Sequence, residues 1–206
     1  INQETKQVIY NAAHSIMVDS VLDPAKYPST VDAIKWLTDE RKIKSDILNS
    51  LPIGVLPSLQ ELVEVVKTQY LKSHELWELN PEKKSEPQNR NQQVFEYLKD
   101  SYSNTFVNGG VIWPLHSNPT EITRLKIRAP HGKVKKDIIM PLDPPEESVG
   151  LFGIGWDPYQ TMGSATAPVE WVYLTEGEFD VLSYMAQVVE SGPNIVLYSV
   201  GGSGGA

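Results

Sequence analysis

Cysteine is absent from the 206 residues. Disulfides and thiolate metal sites are thereby excluded, and the absence fits a reducing cytoplasm. No apolar run approaches the ~20 residues that a membrane-spanning helix needs, and no basic-then-apolar signal segment opens the chain. The four histidines show no pair at metal-ligand spacing. His14 and His74 fall in helical stretches as surface or satisfied core residues, and His116 borders a turn. Positive charge is scarce: 18 Lys and Arg face 26 Asp and Glu, a net charge of −8. That balance disfavours nonspecific coating of nucleic acid but allows a local basic face. The "GGSGG" near the end lacks the Lys-Ser/Thr and following helix of a phosphate-cradling P-loop.

What is present is ordinary globular material, 40% hydrophobic, with nine Tyr and five Trp. It suffices for one large domain or two small ones. The chain opens at Ile1 and stops at "SVGGSGGA", directly after a strand-like run, and is read as a piece of a longer protein.

Apolar residues at helical spacing (Val8, Ile9, Ala12, Ala13, Ile16, Met17, Val21) predict a helix over 5–22. "STVDAIKWLTDERK" predicts a second, with Ser29 and Asp32 as a capping-box-like start, and "KSDILNSLPIGVLPS" a short helical turn. Ser58-x-x-Glu61 is a cleaner capping box and opens a helix reaching about Leu76. "NPEKKSEPQNRNQQ" reads as a linker and "QQVFEYLKDSYS" as one more short helix. Beyond Asn108-Gly109-Gly110 the period changes. "VIWPLHS", "EITRLKIRA" and "VKKDIIMPL" are short, β-branched and turn-separated, which predicts an antiparallel meander. "GLFGIGW" fits neither pattern. Strand 171–175, helix 178–190 and strand 194–199 then make a β-α-β unit with parallel strands.

Two constellations carry chemistry. The first is "VYLTEGEFDVL". Glu176 falls where a strand ends, the place at which open α/β sheets bind ligands. Gly177 lets the chain turn and a ligand approach, and Asp180 follows one helical turn after Glu176. Two such carboxylates can hold Mg²⁺ or Mn²⁺, hard cations that keep several waters. An acid in a first helical turn is also favoured by the helix dipole alone. The second constellation is basic: Arg124, Lys126, Arg128, Lys133, Lys135 and Lys136 crowd one stretch of an acidic chain. Period 2 puts Arg124, Lys126 and Arg128 on one strand face, a flat cationic surface for nucleic-acid or nucleotide phosphates. The alternative is a solvated outer face that guards a sheet edge. Trp113, Trp156 and Trp171 read as core residues, with base stacking as the alternative.

"LTEGEFDVLSYMA" followed by "NIVLYSVGG" resembles the opening of a TOPRIM domain of the DnaG-like primase type. "GGVIWPLHSNPTEITRLKIRAP" is similar to the primase segment ahead of it, and "VDAIKWLTDERKIKSDILNSLPIGVL" to the helical stretch that comes before. "GLFGIGW" stands where those proteins carry a Gly-Leu-aromatic-Gly-like element. The resemblance implies an α+β fold: a helical region over 1–88, a β-rich primase-core subdomain over 89–168 with the basic strand, and the start of a truncated TOPRIM domain over 169–206. It implies a DNA primase that makes RNA primers on single-stranded DNA from NTPs, with Glu176, Gly177 and Asp180 catalytic. The Asp-x-Asp pair used by the family does not occur downstream of Asp180 in this chain. Magnesium affinity is therefore expected to be weak or absent here, and the chain by itself inactive. Phage and plasmid primase-helicases share the layout, which makes a replicative helicase a candidate partner. Two rivals remain: a TOPRIM nuclease using the same acids, and a non-catalytic nucleic-acid-binding module with a degenerate TOPRIM.

Overall fold

The computed structural model describes residues 3–75, 108–130, 138–139, 150–153, 171–191 and 195–199. The predicted linker, the helix expected near 92–103, Trp156, Lys133, Lys135 and Lys136 lie outside them.

Helix α1 (Gln3–Leu22) lays its apolar stripe on an antiparallel sheet, and helix α3 (Leu59–Glu75) packs beside it. Between them come a 3-10 turn at Pro28–Thr30, helix α2 (Val31–Lys35), a π-helical turn at Trp36–Glu40 and a second 3-10 stretch at Ser45–Ser50. The sheet runs β1 (Gly54–Val55), β2 (Val111–Asn118), β3 (Glu121–Arg128), β4 (Ile138–Ile139), each antiparallel to the next. Mixed helix and antiparallel strand is the expected class.

Strand alternation sorts the β2–β3 ribbon into two faces, and both are covered. Ile112, Leu125 and Ile127 join Ile9, Ala12, Ala13 and Ile16 of α1 and Leu62, Val63 and Val66 of α3. Val111, Trp113 and Leu115 look the other way, into a second core with Trp36, Leu37, Leu48 and Phe152. Packing therefore runs across the boundary expected near residue 88, since α1 and β3 share one core. Strand β1 was not expected. Its two residues lie just past the helical turn expected to end near Pro52, and pairing with Val111 and Ile112 makes them a strand. Gly54 is required there: a Cβ would fall 2.7 Å from the Ala13 carbonyl carbon and the His14 nitrogen, where α1 crosses over.

The expected capping box at Ser58 forms. Ser58 Oγ accepts from the Glu61 N–H at 3.3 Å, and the Glu61 carboxylate accepts from the Ser58 N–H at 2.9 Å. Ser29 is a correction. It makes no cap on α2; its hydroxyl accepts from the Ser58 N–H at 3.1 Å and donates to Glu61 at 3.2 Å, reinforcing α3 instead. Burial pushes the Glu61 carboxyl up, and the hydrogen bonds from Ser58 and Ser29 outweigh it, leaving the group below its ordinary value.

The β-α-β unit is present: β5 (Trp171–Thr175), helix α4 (Glu178–Ser191) and β6 (Ile195–Ser199), with β5 and β6 parallel. Two adjacent residues staple it to the antiparallel sheet. Leu151 exchanges backbone hydrogen bonds with His116 at 3.0 and 2.9 Å, and Phe152 with Ser199 at 2.9 and 3.1 Å. Leu151 and Phe152 of the glycine-punctuated stretch thus connect the two sheets.

His116 stands at that staple, 8% exposed, and among the described residues its Nδ1 has no hydrogen-bond partner. Burial holds the imidazole below its ordinary 6.5. The protonated form is the disfavoured one in the fold, so nothing is lost while both states are neutral. Stability falls as pH drops below the unfolded-state value, about 6.5, and keeps falling until the folded value is passed. Denaturant midpoints are expected to decline between about pH 7 and pH 5 more steeply than in His116→Leu, which cannot titrate there. Parallel curves for the two proteins would remove His116 as the cause.

Candidate functional site

Parallel register sets the first part of the site. Thr175 pairs with Ser199, so both strands of the unit end at one carboxyl edge. Glu176 follows at once and is exposed. The turn after it is pinned twice. The Thr175 hydroxyl donates to the Gly177 carbonyl at 3.2 Å, and the hydroxyl of fully buried Ser199 donates to the Glu176 carbonyl at 3.1 Å. Asp180 begins the helix with its N–H on the Gly177 carbonyl at 3.3 Å, and its carboxylate is exposed. A Cβ at position 177 would lie 3.1 Å from Asp180 Oδ2, so glycine leaves that carboxylate its place. The structure brings Glu176, Gly177 and Asp180 together at one strand edge.

A hydrated Mg²⁺ fits this donor set in kind: two exposed carboxylates supply hard oxygens, and glycine keeps the space between them open. Among the described residues no group of three or more His, Cys, Asp or Glu side chains is arranged for a metal ion. Two carboxylates alone leave most of the coordination sphere to water.

The basic strand is partly recast. Cross-strand pairing sets Arg124 opposite Leu115, Lys126 opposite Trp113 and Arg128 opposite Val111. The face they share is the one that meets the second core. Lys126 is 3% exposed there, and its Nζ meets Glu178 Oε1 of α4 at 2.5 Å, with Glu178 4% exposed. Lys126 is no part of an exposed cationic surface. Arg124 and Arg128 are half-buried at either side of it.

Arg128 leads to a cluster that sequence reading passed over. Its guanidinium lies 5.1 Å from the centre of the Phe179 ring, and that of Arg41 lies 4.0 Å from the same ring and 4.9 Å from Trp36. Phe179 meets Trp36 and Trp113 edge-on, each at 4.9 Å. Trp113 is fully buried, a core residue and no stacking platform. Arg41 reaches its position because the π-helical turn closes with its N–H on the Trp36 carbonyl at 3.0 Å. Lys42 then reverses the chain at φ 60°, a left-handed conformation that strains a residue bearing a Cβ by about 1–2 kcal/mol. Burial, and then Arg128, pull the Arg41 guanidinium below its ordinary value. Beyond it opens a cleft of about 290 Å³ lined by Lys42, Lys44, Ser183 and Gln187. The available signal in the sequence was "DERKIK", five charges leading into a predicted turn, which by itself reads as a solvated end.

Among the described residues no helix is long and apolar enough to cross a membrane. No protein-family model matches the sequence, and no curated protein matches it significantly. Solved structures do. The chain is similar to the DnaG primase catalytic domain bound to single-stranded DNA (TM-score 0.53, 15% identity), with 98% of this chain and 56% of that one covered. It is also similar to the primase catalytic core of E. coli (TM-score 0.53, 14% identity), covering 93% of this chain and 54% of that one. A third likeness is to another DnaG catalytic core (TM-score 0.51, 16% identity), at 96% and 54%. The chain thus has the fold of DnaG primase catalytic cores and spans a little over half the length of these neighbours.

Proposed function

We propose that this chain is the first part of a primase core, running into a TOPRIM domain whose acidic edge begins at Glu176. The full-length enzyme would join ribonucleotides on a single-stranded DNA template. One observation carries the reading: on a DnaG-core fold, exposed Glu176 and Asp180 stand at the carboxyl edge of parallel strands, and α4, which carries Asp180, also meets Arg41 and Arg128 through Phe179.

Glu176 and Asp180 would hold Mg²⁺ or Mn²⁺ through the two exposed carboxylates at that edge. Such an ion, when bound, neutralises charge on a triphosphate during transfer. Glu176 would also accept the proton of an attacking hydroxyl. Arg41 and Arg128 would take a phosphate of the template or the nucleotide. Two guanidiniums on one ring repel each other, and an anion beside them turns that repulsion into two attractions. Arg124, four residues from Arg128 on the same face of β3, supports the same field. Single-stranded DNA, present in one of the structural neighbours, is the partner this surface fits.

Template-dependent primer synthesis by the full-length protein tests the reading. Nicking of DNA without primer synthesis would favour a nuclease, and binding with neither activity a non-catalytic module. In the 206-residue chain, Arg41→Gln with Arg128→Gln is expected to weaken oligonucleotide binding about tenfold or more and to reduce the salt slope by about two, one per lost phosphate contact. Fluorescence anisotropy across a salt series reads both. Equal affinity and slope would remove the two arginines from the interface.

A further inference from the structure

The Lys126–Glu178 pair is the feature that the proposed phosphate chemistry leaves unused. It joins residues 52 apart in sequence, and both side chains are almost wholly buried. Glu178 is the first residue of α4 and stands between Glu176 and Asp180, so wherever its side chain is anchored the two exposed carboxylates must follow. The anchor is the middle of β3, a strand paired along its length with β2 and covered on its other face by α1.

Stability alone does not account for the pair. Removing two charges from water offsets most of their attraction, and an apolar pair of similar volume is commonly as stable or more so. What an ion pair adds is direction. The other buried contacts of α4, through Val181, Leu182 and Met185, are apolar. Such contacts tolerate small rotations and slides of a helix. A carboxylate that must meet one ammonium tolerates neither. The aromatic wall works to the same end, since Trp113 lies opposite Lys126 in the strand register and meets Phe179, the residue after Glu178, edge-on at 4.9 Å.

We infer that Lys126 and Glu178 form a buried latch that fixes the start of α4 against the antiparallel sheet and thereby positions the acidic edge. Lys126 is on this view a positioning residue and not a phosphate ligand. The inference rests on the proposed function only for what the edge does; that the pair holds it is a separate claim and is read separately.

The test is the double variant Lys126→Met/Glu178→Leu in the whole 206-residue chain, which removes both charges and keeps volume. Its melting temperature is expected within about 4 °C of the unaltered chain. Amide hydrogen exchange over Glu176–Val181 is expected to quicken at least about tenfold, while exchange in β2 and β3 stays as it was. Unchanged exchange over Glu176–Val181 would overturn the latch. So would failure to fold, or faster exchange throughout the sheet, since either would assign the pair to global stability. Mn²⁺ supplies the second readout. In the unaltered chain it should broaden the amides of Glu176 and Asp180 together, and in the double variant unequally. Absence of any broadening in the unaltered chain is what weak binding by two carboxylates allows, and the exchange result then decides the latch.

Discussion

Glu176→Gln is expected to lower primer synthesis by the full-length protein at least ~10²-fold, the lower end for loss of a positioned acid–base group. The substitution keeps size and hydrogen-bonding capacity and removes only the charge that a metal ion or a proton acceptor needs. Folding should be unaffected, because the side chain is exposed and the turn beneath it is held by backbone carbonyls: Ser199 donates to that of Glu176 and Thr175 to that of Gly177. Oligonucleotide binding should also persist, since Arg41 and Arg128 are untouched. The expected pattern is therefore a fall in kcat with melting temperature and DNA affinity nearly unchanged. Normal priming by the Gln variant would reduce Glu176 to a surface acid tolerated at the head of a helix, where the dipole favours negative charge regardless of function.

Lys126→Met alone is expected to destabilise the fold by about 3–5 kcal/mol, far more than the double variant that also neutralises Glu178. Methionine fills much of the lysine's volume, so cavity formation is a small part of the effect. The loss comes from Glu178, left 4% exposed without its cation, against the second core. Such a carboxylate must stay charged in a poor solvent or take up a proton against its preference. Urea denaturation of the single and double variants measures the contrast, and the excess of the single over the double is the energy of an orphaned buried charge. A loss below about 1 kcal/mol for Lys126→Met would mean that water reaches the pair, as it does an exposed ion pair.

Much of this was legible without coordinates, and the reason is locality. The apolar stripe of α1 repeats at helical spacing, and each residue of the stripe reports on neighbours three and four positions away. The Ser58–Glu61 box closes within one turn. The alternation of β2 and β3 and the β-α-β order of residues 171–199 are likewise statements about adjacent residues, and they sufficed to set Glu176 at a carboxyl edge.

The remainder depended on which distant element covers which face. Period 2 shows that Arg124, Lys126 and Arg128 share one side of β3; it is silent on whether that side meets water or a helix. The arrival of α4, whose Glu178 lies 52 residues later, turned a lysine expected to meet phosphate into a buried partner. Ser29 looked like the cap of the helix that follows it, but its hydroxyl serves α3, 29 residues on, because α3 leaves N–H groups to satisfy within its reach. Gly54–Val55 became a strand and Leu151–Phe152 a staple only by finding backbone partners far along the chain. The sequence by itself determined the elements and the edge at which the acids stand. Only the tertiary structure decided which cations face the solvent, because burial belongs to pairs of surfaces and a single strand carries the pattern of just one.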